Sequence, residues 1–140
     1  NFRRGLPPLD QLGAAACWVR GPLMLLIGVK RFKEWAGWAE AGVATAGTAT
    51  EQLVGLGIPA LSLPGPGPQF QWPFARRQSR LLGGAVHPCG TADELGQRLE
   101  QLLSDPLLRE RLGRIGRRRM GPSGGSARLA KLVLERLHGY

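Results

Sequence analysis

Residues 41–63 run Ala41-Gly42-Val43-Ala44-Thr45-Ala46-Gly47-Thr48-Ala49-Thr50-Glu51-Gln52-Leu53-Val54-Gly55-Leu56-Gly57-Ile58-Pro59-Ala60-Leu61-Ser62-Leu63. Val43 to Ala46 suits a short strand. Gly47-Thr48-Ala49-Thr50 is a tight turn of small residues that opens a helix reaching Leu56, and Gly57 supplies its C-terminal stop. Pro59 to Leu63 is then a second strand. Two strands joined through a helix lie parallel in one sheet, with the helix crossing over one face.

The same alternation extends in both directions. Downstream, Pro64-Gly65-Pro66-Gly67-Pro68 is a stiff loop. Gln69 to Leu82 follows as a helix, with Pro73 near its start and Gly83-Gly84 at its close. Ala85-Val86-His87 is a further short strand. Three helices are predicted after it, over 91–104, 106–119 and 126–137. Thr91 with Glu94 three residues on is a capping box, and Pro106 suits a first helical turn. Upstream, Leu9 to Ala16 reads as a short helix. Leu23-Met24-Leu25-Leu26-Ile27, bounded by Gly21-Pro22 and Gly28, reads as a fully buried strand. Phe32, Trp35, Ala36 and Ala39 recur at helical spacing, giving a helix to about Glu40.

These elements specify the α/β class: a parallel sheet of strands 23–27, 43–46, 59–63 and 85–87 with helices on both faces. They group as 1–40, 41–90 and 91–140 within one partial domain. The chain opens Asn1-Phe2-Arg3-Arg4 without an initiator methionine, which reads as a fragment. In a doubly wound sheet ordered 3-2-1-4-5-6, strand 23–27 would then lie apart from the other three. Its free edges would have to pair elsewhere, displace the N-terminal segment or form a homodimer.

Charge is uneven along the chain. The net +9 falls mostly after residue 75, where thirteen basic groups face six acidic ones, densest at Arg114, Arg117, Arg118 and Arg119. Such a cluster suits an anionic membrane surface or a solvated helix face. Nucleic acid is disfavoured, because Tyr140 is the only aromatic after Phe74 and base stacking needs more. The longest apolar run, Pro22 to Val29, is far below the roughly 20 residues of a membrane span. Cys17 and Cys89 lack paired spacing, and His87 with Cys89 is the only close pair of metal-ligand types. No metal site or cofactor is therefore expected. Both thiols are expected to be buried or half-buried in a reducing, cytoplasmic protein peripheral to the membrane.

The strand-to-helix turn carries the chemistry. Unpaired N–H groups of a first helical turn point beyond the carboxyl end of the sheet and attract phosphate. Gly47 lets a ligand approach the backbone, and Thr48 and Thr50 add hydroxyl donors. Glu51 offers acceptors for sugar hydroxyls. The next strand ends in the Pro-Gly loop followed by Gln69-Phe70-Gln71-Trp72, so amide and aromatic groups flank the same edge. Gln69 and Gln71 suit sugar hydroxyls, whereas Trp72 and Phe74 are expected in the core.

The segment Ala46 to Pro59 resembles the donor-binding stretch of GT-B glycosyltransferases, and is most similar to lipid-A-disaccharide synthase and its cyanobacterial and plastid relatives. Gly65 to Phe70, Phe74-Ala75 and Gln78 to Gly83 resemble the same group. The likeness spans about residues 6–137 and is densest over 46–83. It implies a Rossmann-like, C-terminal half of a GT-B enzyme, in which Gly47, Thr48, Ala49 and Thr50 hold the diphosphate of a UDP-sugar donor. It further implies that Gln69 and Phe70 meet the donor sugar. Glu51 is the acid nearest the ribose role, although it stands earlier in its helix than the family's acid. The acceptor would be lipid-linked or membrane-proximal. An N-terminal GT-B domain would supply most catalytic groups; no catalytic residue is assigned in 1–140, and the chain alone would be inactive. Two other readings are a sugar-nucleotide epimerase and a basic module binding RNA or anionic lipid.

Overall fold

In the computed structural model, which describes residues 13–45, 47–65, 67–68 and 70–138, the chain forms two units, Asn1–Ala39 and Glu40–Tyr140. The first is organised by a two-residue loop. Strands β1 (Ala16–Arg20) and β2 (Leu23–Ile27) pair antiparallel, from Ala16 opposite Ile27 to Arg20 opposite Leu23. Between them Gly21 has φ of 57°. A positive φ followed by proline's fixed negative φ is what a type II′ hairpin loop requires. Helix α1 (Phe32–Ala36) follows, and Trp35 lies against the backbone of Gly28.

This hairpin overturns four expectations. Strand 23–27 does not belong to the parallel sheet; it pairs with the strand immediately before it. It is not fully buried either, since Leu23 and Leu25 are 64% and 55% exposed. The expected helix over 9–16 is replaced within the described residues by a turn at Gly13 and the start of β1, while residues 9–12 lie outside the described residues. Cys17, expected to be buried or half-buried, is exposed on β1.

The second unit follows the predicted alternation closely. Strands β3 (Gly42–Ala44), β4 (Ala60–Ser62) and β5 (Val86–Pro88) form a parallel sheet in the order β3-β4-β5. Gly42 pairs with Ala60, and Ala60 with Val86. Helix α2 (Gly47–Gly55) crosses from β3 to β4, and α3 (Trp72–Leu81) from β4 to β5. Then come α4 (Ala92–Ser104), α5 (Pro106–Met120) and α6 (Gly125–His138). All three residues of β4 are buried. Because successive side chains point to opposite faces, both faces of the sheet are covered at this central strand, while Val43 on β3 is exposed. The class is therefore mixed α/β, with three parallel strands among the described residues rather than the four expected.

Leu61, Cys89 and Leu102 centre the core, with Leu95, Leu99, Leu108 and Leu112 from α4 and α5 packed against them. Burial of a leucine of this kind stabilises by about 1.5–3 kcal/mol. Glycine admits α5 to the end of α2: a Cβ on Gly113 would run into the carbonyl oxygen of Gly57.

Helix ends are satisfied locally. The Thr91 hydroxyl accepts from the Glu94 N–H at 3.2 Å, and the Asp105 carboxylate accepts from the Leu108 N–H at 2.9 Å. Arg109 donates to the Leu102 and Leu103 carbonyls at 2.6 and 2.8 Å, and Arg117 donates to the Leu56 carbonyl at 3.3 Å. Two cations of the basic helix thus serve the carbonyl ends of α4 and α2. No residue of α6 is buried.

Candidate functional site

Three parallel strands put three carboxyl ends on one edge of the sheet, where open α/β folds leave room for ligands. Beyond β3 and β4 lies an open cavity of about 400 Å³, lined by Thr45, Gly65, Gly67, Pro68 and Phe70. Thr45 follows β3 directly, and the remaining four residues belong to the segment after β4. Helix α2 begins two residues after Thr45.

The start of α2 is held by α3. Phe74 lies over Gly47, where an added Cβ would touch its ring at 3.4 Å. Phe70 meets Phe74 edge-on, with ring centroids 5.5 Å apart. One turn further along α3, buried Gln78 donates from Nε2 to the Gly47 carbonyl at 3.1 Å. The other side-chain atom of that amide, Oε1, is buried without a hydrogen-bond partner, as is Ser62 Oγ at the carboxyl end of β4.

The expected donor residues are placed differently from one another. Phe70 lines the cavity. Thr48 and Glu51 are exposed on α2, and Gly47 and Ala49 are half-buried. Thr50 is wholly buried and engaged within the protein, so its hydroxyl faces the interior. Residues 47–51 are not among the described lining of the cavity. Gln69 lies outside the described residues. Trp72 and Phe74, expected in the core, are 41% and 38% exposed. Thr45 was not singled out by sequence; its place directly after a strand was the available signal.

A different cluster occupies the carboxyl end of β5. His87, Cys89 and Glu94 bring one ligand atom each within 4.8 Å of one another. His87 Nε2 stands 3.4 Å from Glu94 Oε1, and the Gly90 N–H donates to Glu94 Oε2 at 2.7 Å. That backbone hydrogen bond, followed by the His87 contact, holds the Glu94 carboxyl below the usual carboxylate range. Burial pushes the Cys89 thiol up, and the Glu94 charge adds to the effect while Arg98 opposes it. The Cys89 Sγ lies 3.8 Å from the His87 carbonyl. His87 also borders a second cavity, of about 310 Å³, between the sheet and helices α4 and α5. Sequence spacing exposed the His87–Cys89 pair but not Glu94, which the first turn of α4 carries back to the strand end.

Among the described residues, no helix is long and apolar enough to cross a membrane. The chain matches no family model, no curated protein and no solved structure at a significant level.

Proposed function

We propose that residues 40–138 form the nucleotide-sugar-binding part of a GT-B-type glycosyltransferase with a Rossmann-like core, acting on a lipid-linked or membrane-proximal acceptor. One observation carries the reading: an open cavity of about 400 Å³ is lined by Thr45, directly after β3, and by residues of the segment that follows the adjacent parallel strand β4. A helix N-terminus at such an edge attracts phosphate through its unpaired N–H groups and partial positive charge. Gly65 and Gly67 leave cavity walls without side chains, so a ligand can approach the backbone closely. Thr45 adds a hydroxyl, and Phe70 an apolar surface.

In this reading the N–H groups of Gly47, Thr48 and Ala49 take the diphosphate of a UDP-sugar. Glu51, exposed on α2, accepts from ribose hydroxyls, and Gln69 and Phe70 meet the sugar. In this reading residues 40–138 supply donor binding, and no catalytic group is assigned among them. Leu129, Leu132, Val133 and Leu137 are exposed on α6, with Arg128, Lys131 and Arg136 on the same helix. An amphipathic basic helix of this composition suits docking on an anionic membrane surface.

Calorimetry of the chain with UDP, at low and high salt, tests the proposal. Saturable binding that weakens only modestly with salt is the expected result. If UDP has no effect while RNA or anionic vesicles bind with steep salt dependence, the chain is a basic interaction module instead.

A further inference from the structure

We propose that His87, Cys89 and Glu94 form a binding site for Zn²⁺ or a similar borderline-soft divalent transition-metal cation. This inference is independent of the donor reading. Thiolate, imidazole and carboxylate are the three protein donor types that zinc takes, and the thiolate argues against Mg²⁺ or Ca²⁺. The backbone explains how they meet. His87 and Cys89 are two residues apart on extended chain at the end of β5, so their side chains share one face. Glu94 belongs to the first turn of α4, which begins four residues after β5.

Tetrahedral bonds of about 2.0–2.3 Å set ligand atoms roughly 3.3–3.8 Å apart. The His87–Glu94 separation of 3.4 Å already has that value. The widest separation in the cluster, at most 4.8 Å, closes by about 1 Å on binding. Half-exposed side chains at His87 and Glu94, 42% and 40% accessible, supply that movement.

Glu94 has two carboxylate oxygens with separate duties. Oε2 accepts the Gly90 N–H, which orients the carboxylate as outer hydrogen bonds orient metal ligands. Oε1 faces the imidazole and remains to coordinate. Helix capping alone accounts for Oε2 and the Thr91 hydroxyl, but it requires neither a histidine nor a thiol at this spot. On binding, the Cys89 thiol releases its proton. Thiolate and carboxylate together then neutralise the dication, which suits a partly buried site. The solvent-facing side, between His87 and Glu94, leaves the fourth position to water or an anionic oxygen.

Titration of the metal-free full chain with Co²⁺ as a spectroscopic stand-in, followed by Zn²⁺ competition, tests this. Cys17 is the other thiol and is exposed, so the Cys17→Ser chain is the reference. The expected result is a thiolate-to-cobalt charge-transfer band saturating at a single equivalent and displaced by Zn²⁺. Glu94→Gln and His87→Gln, at half-exposed positions, should weaken Zn²⁺ binding by at least the roughly 10–100-fold seen for outer-shell changes, with far-ultraviolet dichroism unchanged. Cys89→Ser should abolish the band. The proposal is overturned if the folded reference chain gives no thiolate band, or if Glu94→Gln and His87→Gln both bind Zn²⁺ as the reference does.

Discussion

Two short, largely apolar strands, Leu23–Ile27 and Ala60–Ser62, end in opposite environments. Leu23–Ile27 lies between Pro22 and Gly28, and Ala60–Ser62 lies between Pro59 and, one residue beyond Leu63, Pro64. In β4 all three residues are buried, whereas β2 leaves Leu23, Leu25 and Ile27 exposed. The difference comes from what joins each strand to its neighbour. Gly21-Pro22 is long enough only for a hairpin, so β2 pairs antiparallel with β1 and needs no helix over it. Between β3 and β4 the chain has room for α2, which covers the sheet as it crosses. Connection length, rather than apolarity of the run, tells a buried strand from a half-exposed one.

That contrast is open to attack at several positions, and the largest effect belongs to the centre of the parallel sheet. Leu61→Ala removes a side chain that is only 2% exposed, and should cost about 2–5 kcal/mol in urea unfolding followed by far-ultraviolet dichroism. A loss below that range would mean that the core can collapse around the gap. Gly113→Ala tests the close approach of α5 to α2. Its Cβ meets the Gly57 carbonyl, and about 1–3 kcal/mol of destabilisation is expected from overpacking. An unchanged urea midpoint would contradict the approach.

The hairpin loop comes next. Gly21→Ala places an L side chain at φ of 57°, costing about 1–2 kcal/mol and speeding amide exchange in β1 and β2. Wild-type exchange rates in that variant would show that the loop does not need the left-handed conformation. Thr91→Ala deletes the cap on α4 and should cost about 1 kcal/mol. At the other extreme is Leu25→Ala on β2, expected within about 0.5 kcal/mol of wild type. Trp18, Trp35 and Trp38 make fluorescence a reporter for the first unit once Trp72 is replaced by phenylalanine. Should Leu25→Ala prove as costly as Leu61→Ala, the two runs would be energetically alike and the contrast would fail.

Legibility followed the range of the interactions involved. The parallel βαβ units, the capping box at Thr91 and the proline opening α5 were readable, because each depends on neighbours within a few residues. The hairpin is obscured in the sequence because Gly21-Pro22 suits a strand breaker as well as a II′ loop. The turn pattern suggests a ligand hydroxyl at Thr50, since local sequence does not tell which helix face the sheet will cover; the structure buries it. Gln78 and Phe74 bracing Gly47 depend on the approach of α3 to α2, 31 residues apart in the case of Gln78, and local spacing holds no trace of it. Glu94 was visible as a capping residue but not as the neighbour of His87 and Cys89.

In the proposed function the carboxyl ends of β3 and β4, with the first turn of α2, receive a nucleotide diphosphate. Backbone amide shifts recorded by NMR during titration with UDP and a UDP-sugar test it most directly. The account predicts saturable shifts concentrated at Thr45, at Gly47 to Gln52 and from Gly65 to Phe70. A folded chain whose amides in those segments stay unmoved at high UDP concentration would contradict it.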